Sequence, residues 1–358
     1  MDGDAQAGFR KGRSCEDQIT RVVQHISDGF NRSPFHRSVM VLLDFSKAYD
    51  TVWRERLLLT MIDTGVPMPL IQWLNGFLSN RRARVRFNGV NSGCRPMRQG
   101  LPQGSVLAPL LFLFYINTLA EILPPQNLNS MFADDLGIIA TSRSREEAQA
   151  NAQVTVNLVS EWSKEWKLNL NGSKSEVSYF STWTQESAWE PEIIIDGKPI
   201  EYNPNPRLLG VILDRSLTFE THVAEVSRSA TQSCRMLSTL ANTTFGWHKH
   251  SLVPIYQSMI LSKMDYAGPA WQGNTFHIDK LDKAQNKALR LITGQFKDTP
   301  LDALRAEAGV VSFQTRVNRN LLISKEKALR LDENHPRRLA YDLSIPKRLN
   351  NKRTGTHL

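Results

Sequence analysis

Three carboxylates interrupt sequence that is otherwise apolar. Asp44 ends the run SVMVLLD, and Asp134 and Asp135 sit together inside MFADDLGIIA. A carboxylate beside a packed apolar sheet is costly unless something compensates it. Taken singly, each has a plain reading. A strand-end Asp is usually a turn or helix-capping residue, and an Asp pair between two strand arms suits the turn of a hairpin. Taken together they admit a second. Two strand ends meeting at one rim would cluster two or three negative charges, which repel unless cations sit between them. Hard oxygen ligands of this kind suit Mg²⁺, which takes one or two carboxylates and fills its octahedron with water and substrate phosphate. Two such ions can hold both the attacking and the leaving oxygen of a phosphoryl transfer. A further stretch, QGLPQGS (Gln99 to Ser105), has two glycines that let backbone approach a ligand, followed by a helix start whose dipole favours anions. On its own it is most simply a turn.

The elements that would carry these residues follow from periodicity. Asp17 to Phe30 reads as an amphipathic helix with Ile19, Val22, Val23 and Ile26 on one side. Ser38 to Phe45 is a continuous apolar run, the pattern of a strand covered on both faces. A helix is expected to follow, capped by Ser46 and stopped at Gly65. A second is expected over Pro69 to Leu78, then an alternating hairpin arm with one basic face over Asn80 to Gly89. From Met97 to Leu123 a Gly/Pro loop becomes an apolar helix, with Ser105 as cap and Pro109 in its first turn. A long amphipathic helix covers Arg145 to Trp166. Short strands are expected in LNLNGSKSEVSYFS, EIIIDGKPIEY and RLLGVILDRSLTF, and helices from Glu220 onward. There is no internal repeat, and from about Asp332 a basic, disordered tail is expected.

The 358 residues are 41% hydrophobic and 22% charged, a globular composition with no run long and apolar enough to span a membrane. Cys15, Cys94 and Cys234 are isolated, which fits a reducing compartment and neither a disulfide framework nor a zinc site. The net charge of +9 is uneven. Residues 1–98 hold 15 Lys/Arg against 9 Asp/Glu, and residues 319–358 hold 10 against 4, so the middle is slightly acidic. That layout suits a protein gripping a polyanion with its ends and cations at its centre.

In order, QAGFRKGRS, LLDFSKAYDTV, RQGLPQGSVLAPLLF, FADD, LNLNGSKSEVSYF and LLGVILDRSLTF resemble the successive sequence blocks of reverse transcriptases, most closely those of non-LTR (LINE-type) retrotransposons. The later stretch LDKAQNKALRLITGQFKDTPLDALRAEAGV is similar to the region after the polymerase in fungal and insect elements. The resemblance covers roughly Gln6 to Leu331. It implies an α+β fold: a right-hand polymerase palm, an antiparallel sheet with helices on one face, with partial fingers and an α-helical thumb. The expected organisation is residual fingers over 1–37 and palm over 38–219. Within the palm, about 54–98 form a finger-like insertion and 207–219 a primer grip. A helical thumb or connection follows over 220–331, and the basic tail over 332–358.

The same resemblance implies RNA-directed DNA polymerase activity: a primer 3′-hydroxyl attacks the α-phosphorus of a dNTP on an RNA template, with two Mg²⁺ ions, for which Mn²⁺ can stand in. Matched position by position, it implies Asp44, Asp134 and Asp135 as catalytic carboxylates and metal ligands, with the carbonyl of Phe45 as a further ligand. Phe45, Ser46, Tyr49, Gln103 and Gly104 would line the nucleotide site. In that set Tyr49 resembles the sugar gate, a ring that leaves no room for a 2′-hydroxyl. Lys174 matches the lysine near the triphosphate and would protonate the leaving pyrophosphate. Arg10 and the arginine face of Arg81, Arg82, Arg84 and Arg86 would touch template or phosphates. Leu209 and Gly210 stand at the primer-grip tip.

The chain begins almost at the GFR block. No earlier block with an Arg-Pro-Ile-type signature, no endonuclease, no CCHC knuckle and no RNase H signature is found, so an N-terminally truncated fragment is expected. One rival reading is a catalytically dead retroelement remnant that only binds nucleic acid. A group II intron maturase would need an RNA-binding maturase domain or an HNH endonuclease, and the C-terminal part shows no HNH-like Cys/His cluster. An unrelated Mg²⁺ phosphotransferase leaves the ordered blocks unexplained. RNA template, DNA primer and dNTPs are the expected partners, with no membrane. Nuclear localisation is expected from reverse transcription primed on chromosomal DNA; HPRR and PKRLNNKR are weak signals for it.

Overall fold

The apolar run ahead of Asp44 forms the strand Arg37–Leu43, in which Ser38 to Val41 are all buried. It belongs to a five-stranded sheet in the order Glu201–Tyr202, Glu176–Phe180, Arg37–Leu43, Asp135–Ser142, Leu128–Phe132. The computed structural model describes residues 5–241, 246–273, 275–333 and 335–339. The chain divides into two compact units. The first takes in Met1–Ser14, Val39–Val177 and Glu190–Asn203; the second takes in Cys15–Ser38, Ser178–Trp189 and Pro204–Leu358.

In the first unit, Leu128–Phe132 and Asp135–Ser142 pair antiparallel as a tight hairpin, closed by Phe132 opposite Asp135. Leu136 to Ala140 are buried without alternation, so both faces of this strand are covered rather than one. The sheet also departs from a purely antiparallel arrangement. Its edge strand Glu201–Tyr202 runs parallel to Glu176–Phe180, with Glu201 opposite Glu176 and Tyr202 opposite Val177. The helix Arg145–Glu165 packs on Asp135–Ser142 and buries Ala148, Ala152, Val156, Val159 and Trp162. Its cap is local: the Ser144 hydroxyl accepts from the Glu147 amide at 3.0 Å.

The helix expected after Asp44 is broken. Ser46 is not its cap: Lys47 takes that position with no side-chain cap bond, and the Ser46 amide donates to the Asn169 carbonyl at 2.8 Å. Lys47, at φ 50°, starts a single turn, Ala48–Thr51. Val52 and Trp53 then leave the helical conformation because tertiary partners take their backbone groups. The Val52 carbonyl accepts from Gly100, and the Trp53 amide donates to the Tyr115 hydroxyl. A new helix, Arg54–Asp63, ends with Gly65 in the left-handed region at φ 81°. The next helix, Met68–Leu78, leads into two short ladders, Arg82–Ala83 with Arg95–Pro96 and Arg86–Phe87 with Val90–Asn91. The basic side of this hairpin is exposed as expected, but so is its apolar side: Val85, Phe87 and Val90 are 70%, 74% and 72% exposed. Ser105 likewise is not a helix cap. Its hydroxyl accepts from the Leu107 amide at 3.3 Å in the approach to the helix Ala108–Ile122, and Pro109 sits in the first turn.

The second unit is mainly helical. The helix Cys15–Asn31 buries Ile19, Val22, Val23 and Ile26, each side chain worth about 1.5–3 kcal/mol of transfer free energy. This helix falls in the second unit, apart from residues 5–14. There Glu16 accepts from the Ala267 amide and Asp17 pairs with Arg337 at 3.3 Å. Helices Glu220–Leu240 and Thr275–Thr293 pack together. Within the stretch expected to be a tail, Pro336–Leu339 forms a helical turn, while 340–358 lie outside the described residues. No described helix is long and apolar enough to cross a membrane.

A candidate active site on an acidic turn

Asp44 leaves the sheet at the end of Arg37–Leu43 and is held from behind. Its amide donates to the Ser175 hydroxyl at 3.3 Å, and its carbonyl accepts from the Asn171 amide at 2.8 Å. Phe45 bridges Leu170 in the narrow antiparallel geometry, so its own N–H and C=O face away from that neighbour. The Phe45 ring is buried edge-on to Trp162 at 6.2 Å. Asp44 to Ser46 are therefore pinned to Asn169–Asn171, and the turn that follows brings Lys174 round. The exposed Lys174 ammonium lies 4.0 Å from the half-buried Asp44 carboxylate.

Asp134 and Asp135 occupy the hairpin turn and the first strand position after it. Burial pushes the Asp134 carboxyl above its ordinary value, and the charge of Asp44 adds to the rise. Asp135 is raised in the same way, first by its crowded surroundings and then by the charges of Asp134 and Asp44. Asp135 is exposed in the folded chain while Asp134 is half-buried, so water screens Asp135 more. Two carboxylates 90 positions apart in sequence thus act on one another through space. Among the described residues, Lys174 beside Asp44 is the only ion-pair partner of the three.

Tyr49 stands at the same place. Its ring stacks on Phe112 at 4.3 Å and an interplanar angle of 16°. Its hydroxyl is buried without a hydrogen-bond partner, and burial together with the Asp134 charge pushes it up to about 12. Gln103 and Gly104 lie on the exposed loop, where the Gln103 amide donates to Asp50 at 3.1 Å and Gly104 sits at φ 87° in open space.

That loop is held by a residue that sequence pattern does not single out. Arg54 is 9% exposed, and its guanidinium donates to the carbonyls of Gly100, Leu78, Met97 and Gln99 at 2.7–2.9 Å. Gly100 is required here, since a Cβ would lie 2.5 Å from the Asp50 carbonyl oxygen. Nothing in TVWRERLLL marks Arg54 as different from a solvated helix arginine, because its partners are backbone atoms distant in sequence.

The first unit thus brings together Asp44, Asp134, Asp135, Tyr49 and Lys174. Ser46 and Phe45 are anchored beside them, and the Gln103–Gly104 loop is tied to Tyr49 through the Leu101 amide at 2.8 Å. Arg10 donates to the Gln6 carbonyl at 3.2 Å. Arg81 and Arg82 sit at the base of the exposed hairpin, with the Arg81 guanidinium over the Phe77 ring at 5.5 Å. Leu209 and Gly210 belong to the second unit. They form the tip between Arg207–Leu208 and Val211–Ile212, at φ 45° and 93°, and the Tyr266 hydroxyl donates to the Leu209 carbonyl at 2.8 Å.

Whether the acid residues suit a divalent cation can be judged from the chain itself. Among the described residues no group of three or more His, Cys, Asp and Glu side chains is gathered closely enough to hold a metal ion. What exists is a rim of oxygen donors, two of them, Asp134 and Asp135, destabilised as anions by burial and then by neighbouring carboxylate charge. An ion such as Mg²⁺, which binds through one or two carboxylates and otherwise keeps water and phosphate, fits this donor set.

Residues 1–213 match the family described as Reverse transcriptase (RNA-dependent DNA polymerase). A probable RNA-directed DNA polymerase from the X-element transposon of Drosophila melanogaster is 30% identical over 293 residues, 81% of this chain and 32% of that protein. The RNA-directed DNA polymerase of the mobile element jockey in Drosophila funebris is 26% identical over 347 residues, 95% of this chain and 37% of that one. A putative 115 kDa protein of the type-1 retrotransposable element R1DM in Drosophila melanogaster is 25% identical over 267 residues, covering 74% and 25%. The chain therefore spans about a third of the length of the first two and a quarter of the third. Among solved structures, apo telomerase from Candida tropicalis aligns with a TM-score of 0.41 at 12% identity, over 95% of this chain and 58% of that one, a likeness too loose to carry an argument. The matched segment contains Asp44, the acidic turn, Tyr49 and Lys174, and this chain is a member of the reverse transcriptase family, with relatives carried by non-LTR mobile elements.

Proposed function

We propose that this chain carries an RNA-directed DNA polymerase site, which joins a dNTP to a primer 3′-hydroxyl on an RNA template and releases pyrophosphate. The supporting observation is the through-space coupling of Asp44, Asp134 and Asp135 inside a segment that matches the family. In this reading residues 38–219 correspond to a palm with a finger-like insertion over about 54–98, residues 1–37 to residual fingers and 220–331 to a helical thumb.

Asp44 and Asp134, with the Phe45 carbonyl and Asp135, would hold divalent cations, Mg²⁺ in the first instance. Bound there, such ions supply charge stabilisation to the attacking and leaving oxygens. The rest falls to the chain's own groups. The Tyr49 ring, braced flat on Phe112, would exclude a 2′-hydroxyl by bulk. The Lys174 ammonium would hold a proton near the departing pyrophosphate. The Gln103–Gly104 loop would approach the nucleotide, its position kept by Arg54. Arg10, Arg81 and Arg82 would offer charge to template and phosphates, and Leu209 and Gly210 would contact the primer.

Primer extension on poly-rA/oligo-dT with Mg²⁺, wild type against Asp134→Ala, tests the assignment. Incorporation by the wild type and none by the variant is expected. Equal incorporation by both would remove Asp134 from the chemistry. Absence of incorporation by either would favour nucleic-acid binding without catalysis.

A further inference from the structure

The acidic turn is not self-supporting. Ala133, immediately before Asp134, sits at φ 56°, a left-handed conformation that costs a non-glycine residue about 1–2 kcal/mol. No glycine relieves it and no asparagine side chain offers a local hydrogen bond. What holds it comes from 127 positions earlier in the chain. Gln6 is 1% exposed. Its Nε2 donates to the Ala133 carbonyl at 3.1 Å, and its Oε1 accepts from the Ala133 amide at 3.0 Å. The same Oε1 accepts from the Gly8 amide at 2.7 Å. The orientation of the amide follows from its neighbours: the oxygen faces two N–H donors and the nitrogen faces a carbonyl, and the flipped form would set donors against donors.

The backbone around Gln6 is locked to the same hairpin. Gln6 bridges Met131 in parallel; the Ala7 amide donates to the Met131 carbonyl at 2.9 Å, and the Met131 amide to the Ala5 carbonyl at 2.8 Å. Residues 5–7 thus cover the outer edge of Leu128–Phe132, the terminal strand of the sheet. Gly8 closes the fit, since a Cβ there would lie 2.4 Å from the Ala133 amide nitrogen. Arg10 is tied in through its bond to the Gln6 carbonyl. The segment QAGFR therefore acts on the acidic turn.

We propose that Gln6 is a positioning residue: its buried amide, bonded to both the N–H and the C=O of Ala133, fixes the turn so that the Asp134 carboxylate faces Asp44. Its consequence for metal and catalysis rests on the functional reading above; the clamp itself does not. The peptide unit Gln6 holds is adjacent to Asp134, so releasing it lets the carboxylate swing. A displacement of about 1 Å in a catalytic group can cost on the order of 100-fold in rate.

The test compares full-length wild type, Gln6→Ala and Gln6→Glu by hydrogen–deuterium exchange and by Mn²⁺ titration. In the wild type, the Ala133 and Gly8 amides are expected to exchange slowly. In Gln6→Ala, exchange at Met131–Asp135 and at Gly8 is expected to rise about tenfold or more, with the helix Arg145–Glu165 unchanged. Gln6→Glu keeps the acceptor for both amides but sets a carboxylate against the Ala133 carbonyl, and should fall between. Half-saturation by Mn²⁺ should shift severalfold upward in Gln6→Ala. Fast exchange of the Ala133 amide in the wild type would overturn the clamp. So would an Ala variant in which the turn is unchanged, or in which exchange rises evenly across the unit. Should Gln6→Ala not fold, the wild-type exchange and the Glu variant decide alone. Failure of Mn²⁺ to bind the wild type would count against the metal site and leave the exchange result to judge the clamp.

Discussion

At Glu186 a carboxylate accepts bonds from Arg37 at 2.7 Å, Tyr179 at 2.6 Å and Ser181 at 2.9 Å, while at Asp134 a carboxylate meets the charge of Asp44 and a partnerless tyrosine hydroxyl nearby. Both are withdrawn from water. At Glu186 burial works to raise the carboxyl, but the bonds from Arg37, Tyr179 and Ser181 outweigh it and hold it below its usual value. The Arg37 guanidinium is in turn stacked over the Phe35 and Trp183 rings. At Asp134 no such set exists, and burial and repulsion push the carboxyl up. The difference separates a carboxylate that the fold compensates fully from one that it leaves raised. The first is structural, and the second is where, in the proposed reading, a bound cation would lower the free energy.

The sharpest way to break this comparison is substitution at both places. Asp134→Asn should lower dNTP incorporation on the order of 10³-fold while leaving the protein as stable or more so, measured by primer extension and thermal melting. Glu186→Ala should do the reverse to stability, costing about 3–5 kcal/mol by stranding Arg37 as a buried charge, measured by urea denaturation. A large stability loss in Asp134→Asn would erase the distinction. Divalent cation sharpens it next. Mn²⁺ at about ten times its dissociation constant should stabilise the wild type by roughly 1.4 kcal/mol, with no gain for Asp134→Asn.

The two sites should also differ in pH dependence. Glu186 is depressed, so its stabilisation is present above its unfolded value and lost as pH falls through the folded one. Asp134 and Asp135 are raised, so their ionisation costs stability at neutral pH, and that cost is relieved as pH falls through their raised values. The stability advantage of an Asp134→Asn, Asp135→Asn double variant over the wild type should therefore shrink between about pH 7 and pH 4, followed by denaturation at each pH. The smallest effect is at Tyr49. Tyr49→Phe removes a buried hydroxyl that has no partner and should change stability by no more than about 1 kcal/mol, in the favourable direction. In the same extension assay, Tyr49→Val should admit rNTPs that the wild type rejects.

Much of the site is legible in the chain itself. The apolar runs at Ser38 to Phe45 and Met131 to Ala140 form neighbouring strands, and the carboxylates within them come together. Local grammar fails where distant backbone intervenes. Ser46 looks like a helix cap, but Lys47 takes the cap position at φ 50°; the helix Ser46 should start breaks at Val52 and Trp53 because Gly100 and Tyr115 claim their backbone groups. Arg54 and Gln6 look like solvated polar residues, yet each is buried against backbone far away in sequence. Such contacts have no period and no spacing, and so leave no trace in a local pattern.

By itself the sequence determined which residues carry charge, which segments are apolar enough to be buried and, through the order of its blocks, the family. Tertiary structure alone decided that Asp44 and Asp134 share one rim, that Lys174 approaches Asp44, that Gln6 holds Ala133, and that the edge strand Glu201–Tyr202 runs parallel. The reason is one of range. Periodicity reports contacts within a few residues, whereas electrostatic coupling and backbone clamping depend on ångström distances set by strand register across the sheet.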